Sequence, residues 1–141
     1  MPSEQPVEPR PDFRFHERIQ TSMAAYSTGA GAAPYCMIIT FEIAPEDEAE
    51  FNDIYDNDHL PTLLQLDGVL EVIRFRDAAP NEKGFLVYSA LYLFDRENLH
   101  ETAEFTALSD LGRWAPVIRP KVKSRARRAG PVVARFRKPA A

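Results

Sequence analysis

The sequence is short of what staples or pins small proteins. Its 141 residues include one cysteine, Cys36, which excludes an internal disulfide and a four-cysteine zinc site. Six glycines are too few and too scattered for a phosphate-cradling loop. Gly29-Ala30-Gly31 has no strand before it and no helix start after it, which argues against a bound dinucleotide or ATP. No apolar run approaches the ~20 residues that span a bilayer. The opening stretch, residues 1–13, is acidic and proline-rich with no apolar core, so no signal peptide is expected and the chain reads as soluble and cytoplasmic. No serine sits in a G-x-S-x-G setting, and the three histidines form no H-x-x-x-H pair. Neither a metal nor an organic cofactor is expected.

What is present suits one globular domain. Hydrophobic residues make up 45% of the chain, and nine Phe, five Tyr and one Trp can fill a core. Charge is unevenly spread. Residues 1–110 hold all 21 acidic residues and seven of the 17 Lys and Arg, a net of −14, whereas residues 111–141 hold ten cations and no acid. That split fits a basic tail for an anionic partner or mutual neutralisation of the two parts. A pI near 5.4 disfavours uniform nucleic-acid binding.

Residues 1–34 read as an arm and linker: four prolines in the first dozen residues, a short amphipathic stretch from Phe13 to Ser27, then Thr28 to Pro34. The domain spans residues 35–138. Residues 35–43 alternate as a strand, with Tyr35, Met37, Ile39, Phe41 and Ile43 on one face. Pro45 and the acids from Glu46 to Glu50 open a helix, where a missing N–H costs nothing and negative charge suits the dipole. Phe51, Ile54, Tyr55, Asp58 and His59 share its inward stripe, and Pro61 should end or kink it. Strands follow over Val69–Arg76 and Phe85–Phe94. Asp95 is the expected N-cap of a second helix reaching about Leu111, with Leu99, Ala103, Ala107 and Leu108 inward. In the basic end, Lys121, Lys123, Arg125 and Arg127 lie at period two and would share one face of a strand, a face that could meet the anionic helix, an acidic substrate or RNA. Val132 to Arg137 is a continuation or a separate strand.

The order βαββαβ predicts an α+β fold, a ferredoxin-like antiparallel sheet with its helices on one face. The third strand is apolar on both faces, and helices can cover only one. A homodimer closing sheet on sheet covers the other.

His59 carries the strongest chemical signal. Tyr55 lies four residues earlier on the same helix face and Asp56 three residues earlier at its edge. A Tyr, an Asp and a His within one and a half turns suit an oriented imidazole beside a phenolic or carbonyl substrate. The competing reading is a histidine that ties the helix end to the sheet. Cys36 reads as a small core residue. Phe51, Tyr88, Tyr92, Phe105 and Trp114 are core by default, and some of them would line any aromatic-ligand pocket.

Phe51-x-x-x-Tyr55-x-x-x-His59-Leu60-Pro61 followed by Leu66-Asp67-Gly68-Val69 resembles the first-helix motif of the EthD-like proteins. These belong to the dimeric α+β-barrel superfamily, alongside antibiotic-biosynthesis monooxygenases and related polyketide-tailoring enzymes. The resemblance implies a ferredoxin-like protomer, a homodimer whose sheets form a barrel, and a pocket between sheet and helices with His59 at its edge. It implies cofactor-free handling of aromatic or polyketide-like compounds. The chain departs from the pattern at Asp67-Gly68, where Pro-Gly is frequent, in the arm before residue 35, and in the basic end.

The expected function is that of a small cofactor-independent enzyme. His59 would serve as general acid or base, with Tyr55 and Asp56 beside it, and Phe51, Tyr88, Tyr92 and Trp114 would contact an apolar substrate. Cyclisation, isomerisation, decarboxylation and oxygenation all suit such a site. A non-catalytic small-molecule binder and an anion- or RNA-binding basic end are the alternatives.

Overall fold

The structure, a computed structural model, describes residues 34–140. The expected arm helix over residues 13–27 and the linker before Pro34 lie outside the described residues. Four strands, β1 (Tyr35–Ile43), β2 (Val69–Arg76), β3 (Leu86–Phe94) and β4 (Ser124–Pro131), form one antiparallel sheet in the order β2-β3-β1-β4. Apolar β1 and β3 take the centre, and the Arg-bearing β2 and β4 take the edges, where charge discourages further pairing. Period two sorts the faces. Met37, Ile39, Phe41 and Ile43 of β1 and Leu86, Tyr88, Ala90, Tyr92 and Phe94 of β3 are buried under the helices. A bulge between Val69 and Glu71 adds one residue to β2, so that Val69 and Val72, three apart, both pack towards the helices.

The first helical segment runs past Pro61 instead of ending there. A 3-10 turn (Pro45–Asp47) leads into α1 (Glu48–Ile54), then a π turn (Tyr55–His59), then α2 (Leu60–Leu63). In a continuous α-helix the Pro61 ring would press on the carbonyl of residue 57 and offer it no N–H. The wider turn, with the Leu60 N–H donating to the Tyr55 carbonyl five residues back, accommodates the proline without breaking the rod.

The second segment is shorter than its sequence suggests. A 3-10 turn (Leu99–Glu101) precedes α3 (Ala103–Ser109), and Thr102, not Asp95, is the cap: its hydroxyl accepts the Phe105 N–H at 3.2 Å. Asp95 instead binds Arg96 at 2.7 Å, and its N–H donates to the Gly68 carbonyl. Asn98, at φ 60°, interrupts any continuous helix from Asp95. The frame therefore shifts: Leu99 and Phe105 are buried, while Ala103 and Ala107 face outward. A second π turn (Trp114–Ile118) and a 3-10 turn (Arg119–Lys121) lead into β4. Lys121 and Lys123 precede the strand, so only Arg125 and Arg127 of the expected four-residue stripe share its face, and Val132–Arg137 adds no strand.

On the side away from the helices, Ile38, Leu91 and Ile73 are cross-strand partners in one row over β1, β3 and β2. Ile73 and Phe75 are exposed at 46% and 49%, and Leu70 is exposed as well. Cys36 lies half-buried on this face and not in the core. A hollow of about 320 Å³, lined by Cys36, Leu70, Ile73, Leu91, Leu93 and Val132 among others, opens here. No helix among the described residues is long and apolar enough to cross a membrane.

Candidate functional site

The two π turns face each other across the helical layer and bring His59 onto Trp114. Their rings stack at 4.5 Å and 23°. Tyr55, four residues before His59, packs at 5.1 Å from both rings. Phe41 and Phe51 back this cluster edge-on. His59 is 5% exposed, and its Nδ1 has no hydrogen-bond partner. Burial, and then the nearby Arg119 guanidinium, press its pKa down to about 4, against a smaller upward pull from Asp58. The imidazole is therefore neutral at physiological pH, with a lone pair or N–H to offer.

The Tyr55 and Tyr92 hydroxyls lie 3.0 Å apart. Burial pushes the Tyr55 phenol up to about 12 and also raises the Tyr92 phenol well above its ordinary value, so both stay protonated. With His59 and Trp114 they line a cavity of about 40 Å³, closed off by Met37, Ile39, Phe41, Leu63, Phe105 and Ser109 and bounded on the β4 side by Arg125 and Arg127. An outer cleft of about 230 Å³, lined by Phe41, Trp114, Arg119, Val122, Ser124 and Arg125, adjoins it and shares Trp114 as a wall.

Of the residues expected to act together, His59, Tyr55, Tyr92 and Trp114 meet at the cavity. The other three do not line it. The Asp56 carboxylate is held by Arg74, away from the imidazole. Arg74 also donates to Asn52 at 2.8 Å, and its guanidinium lies 4.8 Å above the Tyr55 ring. Asp56 thus acts on the arginine that covers Tyr55. Its neighbour Asp58 is the carboxylate near His59, and it accepts the Arg113 backbone N–H at 2.8 Å, a bond that lowers its pKa. Phe51 is fully buried behind Tyr55, and the Tyr88 hydroxyl donates to Glu48 at 2.5 Å.

Two features escaped the sequence reading. His100 is buried, stacked at 6.1 Å and 7° on Phe94 with its Nδ1 unpartnered, and burial lowers its pKa. A polar residue between Leu99 and Glu101 on a 3-10 turn leaves no periodic signal. The inward aim of Arg125 and Arg127 also went unread, because it depends on the register of β4 against β1. The bland account of the basic end holds for part of it: Arg113, Arg119 and Lys121 pair with Asp58, Asp110 and Glu50. Among the described residues, no group of three or more His, Cys, Asp or Glu side chains comes together as a metal site.

The chain matches no protein-family model and no curated protein. Among solved structures it is similar to an EthD (ethyl tert-butyl ether) family protein from Bacillus halodurans c-125, at 24% identity and TM-score 0.46 over 68% of this chain and 96% of that one. It is also similar to a dimeric ferredoxin-like protein from an uncultured marine organism, at 15% identity and TM-score 0.54 over 73% of this chain and 98% of that one. With the strand order β2-β3-β1-β4 and the described helices packed on one face, that last likeness identifies the fold of this chain as ferredoxin-like α+β.

Proposed function

We propose that the protein is a small cofactor-independent enzyme that binds an apolar, aromatic or polyketide-like compound and uses His59 to take up a proton from it. One observation carries this reading: a buried, neutral imidazole with an unpartnered Nδ1, boxed by Trp114 and Tyr55. A buried polar atom without a partner costs about 1–3 kcal/mol, and a ligand donor removes that cost. Proton transfer to His59 leaves an anion on the ligand. The protonated Tyr55 and Tyr92 hydroxyls are the donors beside it, and pairing with that anion raises the basicity of an imidazole that is weak when the site is empty. In this reading Asp56 is a positioning residue that acts through Arg74 on Tyr55, while Phe51 and Tyr88 support the wall from behind. The EthD-like helix motif, which runs through Phe51, Tyr55 and His59, points the same way.

The low basicity of the free imidazole equally favours a second reading, a binder that performs no chemistry. The two part in one experiment. Wild type and His59→Gln are incubated with aromatic acids, phenols and short polyketide-like compounds, with melting temperature and product formation followed together. The enzyme reading expects stabilisation and product with wild type, and no product with His59→Gln. Stabilisation of both proteins without product from either leaves the binder.

The same reading includes a homodimer that covers the open sheet face. The row Ile38–Leu91–Ile73 and the hollow beside it are apolar enough to bury against a second copy. Ile73→Glu places a charge on that face without touching the helical core. Sedimentation should give a dimer for wild type and a folded monomer for the variant. A monomeric wild type at micromolar concentration would remove the dimer.

A further inference from the structure

The wall of the His59 cavity is not uniformly apolar. Its outer side is β4, and the two residues that β4 contributes to it are Arg125 and Arg127. Their register partners on β1 are Phe41 and Ile39, both buried under the helices, so both arginines leave the sheet on the cavity side. Arg128 leaves on the other side. Among the described residues no carboxylate pairs with Arg125 or Arg127, while their near neighbours Arg113, Arg119 and Lys121 are each matched by an acid. An edge strand needs charge to stop further pairing, but that need is indifferent to face. Here two arginines with no carboxylate partner border a cavity also lined by His59, whose Nδ1 has no hydrogen-bond partner.

Size adds a second constraint. The inner cavity of about 40 Å³ is far smaller than the ~150 Å³ that accepts a benzene ring. The outer cleft of about 230 Å³ is large enough, and the two spaces share Phe41, Trp114 and Arg125. A planar ligand therefore fits with its ring in the cleft against Trp114 and one polar end towards His59.

Resting on the aromatic-ligand reading above, we propose that the ligand is an aromatic carboxylate whose carboxylate is held by Arg125 and Arg127 at the cavity mouth. Guanidinium forks match carboxylate oxygens in bidentate geometry, and an unpaired pair of them selects for the charge. Such a carboxylate also offsets the positive charge of Arg119 next to His59. Arg125 and Arg127 thereby set specificity for the site, and the carboxylate they hold is the polar end turned towards His59.

The test compares 2-naphthoate with 2-naphthamide by calorimetry, and follows the fluorescence of Trp114, the only tryptophan of the chain, to locate binding. The acid should bind wild type at least about tenfold more tightly than the amide, as expected for a charge-assisted pair. In the double variant Arg125→Gln, Arg127→Gln, the acid should fall to the affinity of the amide while the amide is unchanged. His59→Gln should keep the preference for the acid. Both arginines are exposed, so the double variant tests recognition without removing core packing. Equal affinity for acid and amide, or a preference that survives the double variant, would overturn the proposal. If the amide still perturbs Trp114, the aromatic-ligand reading stands without the carboxylate. No binding of either compound at the Trp114 site overturns both.

Discussion

Trp114→Ala is expected to lower the unfolding free energy by about 3–5 kcal/mol, the range for removing a large buried aromatic. Trp114 is 4% exposed and meets Phe41, Phe51, Tyr55 and His59 within 6.1 Å, so no flexible neighbour can collapse into the vacated space. For a domain whose total stability is about 5–15 kcal/mol, that is a large share. It should appear as a shifted urea midpoint with an unchanged slope. The substitution also merges the inner cavity with the outer cleft. Added indole should therefore restore part of the loss by refilling the hole, and restoration should scale with indole concentration. A loss below about 1 kcal/mol would mean that the two π turns are not packed on each other as described.

The second large effect is on pH. The imidazole of His59 has a pKa of about 4 in the fold against 6.5 for a free histidine. Between those values the unfolded chain binds the proton and the folded chain does not, so protonation favours unfolding. The neutral imidazole's contribution to stability is complete above about pH 6.5 and is lost as the pH falls towards 4, a difference of about 3 kcal/mol. His100, also lowered by burial, adds to the loss with the same sign. The lowered carboxyls Glu48 and Asp58 titrate further down, below their ordinary values of 4.5 and 3.8, and so leave the upper window to the histidines. Urea unfolding at pH 7 and pH 4.5 measures the difference. His59→Gln should remove most of the slope and leave the part owed to His100. Equal stability at the two pH values would mean that the imidazole is hydrated in solution.

The centre of the sheet was legible because β1 and β3 each bury one face. Residues 35–43 alternate so regularly that their ends coincide with those of β1, and the apolar run from Val69 marks β2 despite its bulge. The pairing of Tyr55 with His59 was legible from a spacing of four, which a π turn changes only slightly. The Asp56 contact was not. An acid three residues before a histidine suggests a partner on the same helix, but a guanidinium arriving from β2 is a stronger competitor, and it comes from a residue 18 positions away. The second helix misled because Asp95 has the chemistry of a cap and none of its geometry once Asn98 turns left-handed. The cavity itself could not be read from the sequence, because Trp114 reaches it only through a second proline-associated π turn that periodicity does not reveal.

Each of those π turns holds one residue more than the α-helical hydrogen-bond ladder would close over. In the arithmetic of insertion and deletion, the site depends on residue count as well as residue identity. Each residue advances an α-helix by roughly 100°. Removing one residue between Tyr55 and His59 would close the turn, rotate everything before it relative to α2, and carry Tyr55 off the face that meets Trp114 while His59 stayed anchored ahead of Pro61. The same deletion would return the proline ring to the clash that the wide turn relieves. A homologue with a tight turn here would keep the sheet and the histidine, yet its imidazole would face a different neighbour.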